Sequence, residues 1–156
     1  MSAAALYFAC RTHGVVRTLR QIAATNALLG ETESARECKL VVSRDYRLLL
    51  RELNLKVPTQ KGEDFVSKTC EKLGLSSAVE HKAVELLKEY RLGKRTAGKG
   101  PQGLAAAAIY IAWVSLGEKR TQKMIASELH VTEVTIRNRY KGMMEGLGLD
   151  ELTTPA

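Results

Sequence analysis

Glu133, Val134, Arg137, Asn138 and Lys141 fall at three- and four-residue steps and share one face of a helical pattern. Basic and amide side chains on one helix face are a donor set suited to nucleic acid, where phosphate oxygens and base edges both accept hydrogen bonds. The opposite face is apolar, with Ile136, Tyr140, Met143 and Leu147. Thr132 is placed to cap the helix. Just upstream lies a shorter pattern in which Met124, Ile125, Ala126 and Leu129 can face inward, with Thr121 as its cap. Two short helices across a tight turn, the second presenting polar donors, predict a DNA-binding helix-turn-helix over 120–149. Ala126 is the small residue that close helix crossing needs, and His130 stands at the turn where glycine is commoner. The same pattern also fits an ordinary pair of packed helices.

The elements that must hold this unit emerge from an internal repeat. Residues 3–23, AAALYFACRTHGVVRTLRQIA, align without gaps on 106–126, AAAIYIAWVSLGEKRTQKMIA. Residues 45–55, DYRLLLRELNL, align on 139–149, RYKGMMEGLGL, pairing Tyr46 with Tyr140 and Leu53 with Leu147. The first copy therefore carries extra residues between Ala23 and Asp45, and the fold is a duplicated one. Its expected domains are 1–56 and 57–150, followed by a tail over 151–156.

The chain has 156 residues, 45% of them apolar, and only three prolines. Helical periodicity dominates and alternating β-branched runs are missing, so the class is all-α. In the first copy, helices are expected from Met1 to Thr12, from the Arg17-Thr18 cap to about Leu28, and from Ser43 to Leu53. Residues 30–42 read as a loop, with at most a helical turn. Residues 55–62, containing Pro58, form the linker. In the second copy, Glu63–Leu73 buries Phe65, Val66, Cys70 and Leu73 and ends at Gly74. Ser77–Tyr90 opens with a Ser77…Glu80 capping box and buries Val79, Ala83, Leu86, Leu87 and Tyr90. Pro101 opens an alanine-rich hub helix, in which Ala105, Ala108 and Ala112 admit close neighbours. With the helix-turn-helix this makes a five-helix unit.

The net charge is +7. Arg11, Arg17 and Arg20 lie in an acid-free stretch over 1–30, and Arg91, Lys94, Arg95 and Lys99 in another over 91–100; these patches account for the whole excess. Such clustering favours a phosphate backbone as partner, against the plainer reading of a solvated basic face. Cys10, Cys38 and Cys70 share no metal spacing and are expected to be reduced, with Cys10 in the core. His13, His81 and His130 share no helix-face spacing, so no metal site is expected. No nucleophile–base set or carboxylate pair suggests an enzyme, and no cofactor is expected. The apolar run Leu104–Leu116 is too short to span a bilayer, and no secretory leader opens the chain; the expected location is the cytoplasm, at the nucleoid.

The segments GKGPQGLAAAAIYIA, GEKRTQKMIA and VTEVTIRNRYK, in this order and spacing, resemble the cyclin-like core of archaeal transcription factor B, the counterpart of eukaryotic transcription factor IIB. In the first copy AAALYFACR, VRTLRQIA and YRLLLRELNLKVP carry the same resemblance, which runs from Ser2 to about Leu149. It implies two tandem cyclin-like repeats, the first truncated. It also implies a monomeric general transcription factor that binds the complex of TATA-binding protein with promoter DNA and helps recruit RNA polymerase. Its second repeat would read the element upstream of the TATA box. By this resemblance Val134 and Arg137 meet base edges, consistent with arginine's bidentate fit to guanine and valine's to a thymine methyl. Thr132, Thr135, Asn138 and Arg139 would make phosphate or flanking contacts, although Arg139 also fits a structural surface role. Lys99 and Gly100 would meet the DNA backbone at a helix N-terminus, with Arg120, Gln122 and Lys123 as further contacts. Two helices of the first repeat, and the family's zinc ribbon and polymerase linker, have no counterpart in the sequence. A truncated regulatory or degenerate paralogue, a coding region beginning upstream of Met1, and a cyclin-like protein-interaction module are the competing expectations. With two covering helices gone, residues 1–53 should be marginally stable, while 59–149 should fold alone.

Overall fold

The computed structural model describes residues 1–28, 34–93, 96–117 and 121–149. Among these every regular element is an α-helix. The chain divides into two compact units, 1–60 and 61–156.

The first unit holds α1 (Ser2–Thr12), α2 (Leu19–Leu28) and α3 (Ala35–Glu52). At the start of α2, Thr18 and Gln21 cap reciprocally. The Gln21 amide donates to Thr18 Oγ1 at 3.0 Å, and the Thr18 amide donates to Gln21 Oε1 at 2.9 Å. The core gathers Ala3 and Tyr7 from α1, Ile22 and Ala23 from α2, and Cys38 and Val42 from α3. Tyr46 packs on its border, edge-on to Tyr7 with ring centroids 4.9 Å apart. Burial holds the Tyr46 phenol above its usual pKa, against the opposing pull of Arg11.

The loop expected over 30–42 is corrected. From Ser34 onward the chain caps and enters α3, with Ser34 Oγ accepting from the Arg36 amide at 3.3 Å. Cys38, Val42 and Asp45 supply the inward stripe. That stripe is too sparse and polar to stand out in ESARECKLVV, where the cap is the clearer signal. Residues 29–33 lie outside the described ones. Asn54, in the left-handed region at φ 47°, follows the last turn and ends the third helix. Cys10 is only half-buried, Leu6 is 52% exposed, and Leu48 faces outward. Among its described residues α1 buries Ala3, Ala4 and Tyr7.

The second unit holds α4 (Glu63–Leu73), α5 (Ser77–Leu92), α6 (Pro101–Ser115), α7 (Gln122–Leu129) and α8 (Glu133–Leu147). It is built round α6, which packs against all four others and is buried continuously from Gly103 to Trp113. Ala105, Ala108 and Ala112 have no exposed surface, so the neighbouring helices approach the α6 backbone closely. The inward stripe of α5 is Val79, Ala83, Leu86, Leu87 and Tyr90. On α4 Phe65, Val66, Thr69 and Cys70 are buried, whereas Leu73 is only half-buried, and Gly74 closes the helix at φ 60°.

The capping box of α5 is also corrected. Ser76, one residue earlier than expected, is the N-cap and accepts from the Val79 amide at 3.4 Å. Ser77 instead meets His81, and Glu80 accepts from Ser67 of α4. Two ion pairs brace the unit: Arg91 with Glu63 at 2.5 Å, and Lys72 of α4 with Glu128 of α7 at 2.7 Å. No helix among the described residues is long and apolar enough to cross a membrane.

Candidate nucleic-acid interface

Helices α7 and α8 meet through a three-residue connection. It works because His130 takes the left-handed conformation, φ 53°, and its amide bonds back to the Ser127 carbonyl at 3.3 Å. Most residues avoid this region, and histidine is among the few that enter it at modest cost. Thr132 then caps α8, with Oγ1 accepting from the Thr135 amide at 3.1 Å and lying 2.9 Å from Thr135 Oγ1. Thr121 occupies the N-cap position of α7 but its side chain makes no capping bond. Ile125, Ala126 and Leu129 are buried as expected, whereas Met124 points outward at 38% exposure. On α8 Ile136, Met143 and Met144 are buried, and Tyr140 and Leu147 half-buried. The Tyr140 ring stands edge-on to Tyr110 of α6, 5.6 Å away.

The outer face of α8 is open. Val134 is 59% exposed, and Arg137, Asn138 and Lys141 are all exposed. An Arg137 guanidinium nitrogen lies 3.7 Å from the Glu133 carboxylate one turn earlier. In water such an exposed pair is worth a few tenths of a kcal/mol, so it costs little to redirect the guanidinium to another acceptor.

Thr135 and Arg139 have a different setting. A Cβ added to Gly103 of α6 would stand 3.2 Å from Thr135 Cγ2 and 3.6 Å from Arg139 Cγ. The first turn of α6 is thus pressed against the first two turns of α8, and both residues are half-buried there. The close approach that Gly103 permits brings the first turn of α6 against Thr135 and Arg139 of α8. Gly100 is the N-cap of α6, Pro101 opens its first turn, and that turn carries no acidic residue to offset the positive end of the dipole. Lys99 beside it is half-buried; its ammonium donates to the Tyr90 hydroxyl and stands 4.9 Å from that ring's centroid. At the start of α7, Gln122 is half-buried and Lys123 exposed. Arg120 lies outside the described residues, as do Lys94 and Arg95.

Ten of the eleven residues expected at the interface are therefore described. Val134, Arg137 and Asn138 share the exposed face of α8, with Thr132 at its start. Thr135 and Arg139 sit at its seam with α6, and Lys99 and Gly100 lead into that same end of α6. Gln122 and Lys123 stand at the head of α7. The Gly103 contact and the Lys99–Tyr90 tie escaped sequence reasoning. A lone glycine in an otherwise alanine-rich helix was the available signal for the first. The second joins residues across a loop and left no periodic trace.

The family model described as "Transcription factor TFIIB repeat" matches residues 55–146, more than half of the chain and the whole of α4 to α7 with nearly all of α8. The chain belongs to this family. It is 46% identical over 148 residues to a transcription initiation factor IIB of Archaeoglobus fulgidus, covering 95% of this chain and 43% of that protein. It is 47% identical over 149 residues to one of Pyrodictium occultum, covering 96% and 45%. The chain spans less than half the length of these relatives. Both match nearly all of this chain, so the likeness takes in the first unit as well as the TFIIB repeat of the second. The family is one of transcription factors, not a class of enzymes.

Proposed function

We propose that this TFIIB-repeat chain is the promoter-binding core of a general transcription initiation factor. In this reading it binds the complex of TATA-binding protein with promoter DNA and reads the element upstream of the TATA box with α8. It thereby helps recruit RNA polymerase. The observation that carries the reading is the outer face of α8: Val134, Arg137, Asn138 and Lys141 exposed together on a capped helix whose inner face is locked to α6. A helix projecting apolar, guanidinium and amide groups at three- and four-residue steps matches the depth and the acceptor pattern of a major groove. The open N-terminus of α6, with Gly100 as its cap, offers amides to a phosphate beside that groove. The names of the relatives, transcription initiation factor IIB, support the role in initiation.

A mobility-shift titration on promoter duplexes, with and without TATA-binding protein, tests this. The reading predicts tighter binding in the protein's presence and a steep loss of affinity with salt, as neutralised phosphates release counterions. Equal affinity with and without TATA-binding protein would remove the partner claim. A chain that captures proteins but no DNA would instead be a cyclin-like interaction module.

A further inference from the structure

Tyr90 belongs to the inward stripe of α5, yet its polar end leaves the core. The residue is 2% exposed and follows Leu86 and Leu87 by one turn on the same face. Its hydroxyl reaches the place where three segments meet. There it accepts from the Lys99 ammonium, in the loop before α6, and it would lie 3.8 Å from a Cβ placed on Gly142 of α8. The Lys99 ammonium also stands 4.9 Å from the ring centroid. Packing alone uses only the ring of a tyrosine; here the hydroxyl and the ring both serve one lysine.

Lys99 is held at both ends. Its amide closes a turn onto the Thr96 carbonyl at 3.1 Å, with Gly98 in the left-handed region at φ 69°. Its side chain is half-buried and tied to Tyr90. The support is itself braced, because Arg91, the next residue of α5, pairs with Glu63 at the head of α4. A phenol does not neutralise a cation, so the ammonium keeps its charge. One of its three N–H donors is taken, which leaves two for another acceptor. A lysine on an open loop gives up rotamer freedom when it binds a phosphate, whereas one already lodged on a ring has given up much of it on folding.

We propose that Tyr90 is a positioning residue for DNA binding: it holds the Lys99 ammonium, one residue before the Gly100 cap of α6, ready for the phosphate backbone. This rests on the DNA-binding reading of the chain and adds to it the residue that sets how strongly Lys99 acts. Buried as it is, Tyr90 acts through Lys99 alone. A phosphate carries no base identity, so the gain falls on every duplex alike.

The test is a cycle on the whole chain: parent, Tyr90→Phe, Lys99→Ala and the double variant, each titrated on a promoter duplex and a scrambled duplex over a series of salt concentrations. Tyr90→Phe keeps the ring and removes only the hydroxyl. It should weaken both duplexes by the same factor, about 2- to 10-fold, the effect of freeing one long side chain. Lys99→Ala should also weaken both alike and lower the slope of log K against log salt by about 0.9, the share of one phosphate. In the Lys99→Ala background Tyr90→Phe should change DNA binding no further. Thermal melts of the four proteins report the fold separately. If the hydroxyl serves structure alone, Tyr90→Phe weakens binding equally with and without Lys99, and that result would overturn the proposal. So would a Tyr90→Phe chain that binds as tightly as the parent. An unchanged salt slope in Lys99→Ala, alongside lost discrimination in Arg137→Ala, would overturn the role of the Lys99–Tyr90 tie and leave the α8 reading standing. Failure of the parent chain to bind either duplex would overturn both.

Discussion

Replacing Gly103 by alanine probes the seam between α6 and α8. An alanine in this helix would ordinarily gain up to about 1 kcal/mol from the entropy that glycine loses on folding. Here the new methyl meets Thr135 Cγ2 at 3.2 Å and Arg139 Cγ at 3.6 Å. Arg139 can swing its long stem aside. Thr135 has less freedom, because its hydroxyl lies 2.9 Å from that of Thr132 and its own amide donates to the same oxygen at 3.1 Å. Turning the methyl away pulls the Thr135 hydroxyl off that of Thr132, so the helix shifts instead, and overpacking of this kind costs about 1–3 kcal/mol. The net expectation is a loss of up to about 2 kcal/mol, with weaker DNA binding as α8 tilts. Thr135→Ser deletes the offending methyl and keeps the hydroxyl that meets Thr132. In that background Gly103→Ala should become neutral or mildly stabilising, giving a coupling of about 1–3 kcal/mol across the double-mutant cycle. Urea unfolding of the four proteins reads both stability and coupling. Zero coupling, with Gly103→Ala stabilising in both backgrounds, would refute the claim that this contact sets the position of α8.

Three further outcomes are expected. His130→Gly should stabilise the second unit by about 0.5–1 kcal/mol, since glycine takes the observed φ of 53° without a Cβ penalty; thermal or urea unfolding measures it. Asp45→Asn should destabilise the first unit at neutral pH. A hydrogen bond from the Met1 ammonium, with its charge and that of Arg44, outweighs burial and holds the Asp45 carboxyl below its ordinary 3.8. A depressed folded pKa stabilises above the unfolded value and is lost as pH falls through the folded one, so the gap between parent and variant should close below about pH 4 in a pH series of melts. Amide exchange should be faster in Ala3–Arg11 than in Ala106–Val114, because α6 is enclosed by four helices while Leu6 on α1 is 52% exposed. Equal protection would show that the first unit closes as firmly as the second.

Much of the fold was legible where a single buried face recurs at helical spacing. All five inward residues of α5 stood in the sequence at three- and four-residue steps, and the hub character of α6 followed from its alanines. The start of α3 was not legible, because its first two turns present Arg36, Glu37 and Lys39 around the buried Cys38; the helix is secured by the Ser34 cap and by packing on α1 and α2. Adjacent serines hid the true cap of α5, since either Ser76 or Ser77 satisfies the local pattern and only the backbone decides. At the candidate interface the exposed side of α8 could be read from periodicity. What periodicity cannot report is which interface residues also carry structure. Thr135 and Arg139 touch Gly103, and Lys99 is tied to Tyr90, through contacts between different elements.

The central claim is that α8 reads bases while the helix ends around it grip backbone. It is tested most directly by competition binding of Arg137→Ala and Lys99→Ala across duplexes substituted one position at a time upstream of the TATA box, in the presence of TATA-binding protein. Arg137→Ala should flatten the preference at one position by about 1–3 kcal/mol and leave the others in place, whereas Lys99→Ala should weaken every duplex by a similar factor. If Arg137→Ala weakens all duplexes uniformly and the preference at every position survives, α8 does not read sequence through Arg137 and the account is contradicted.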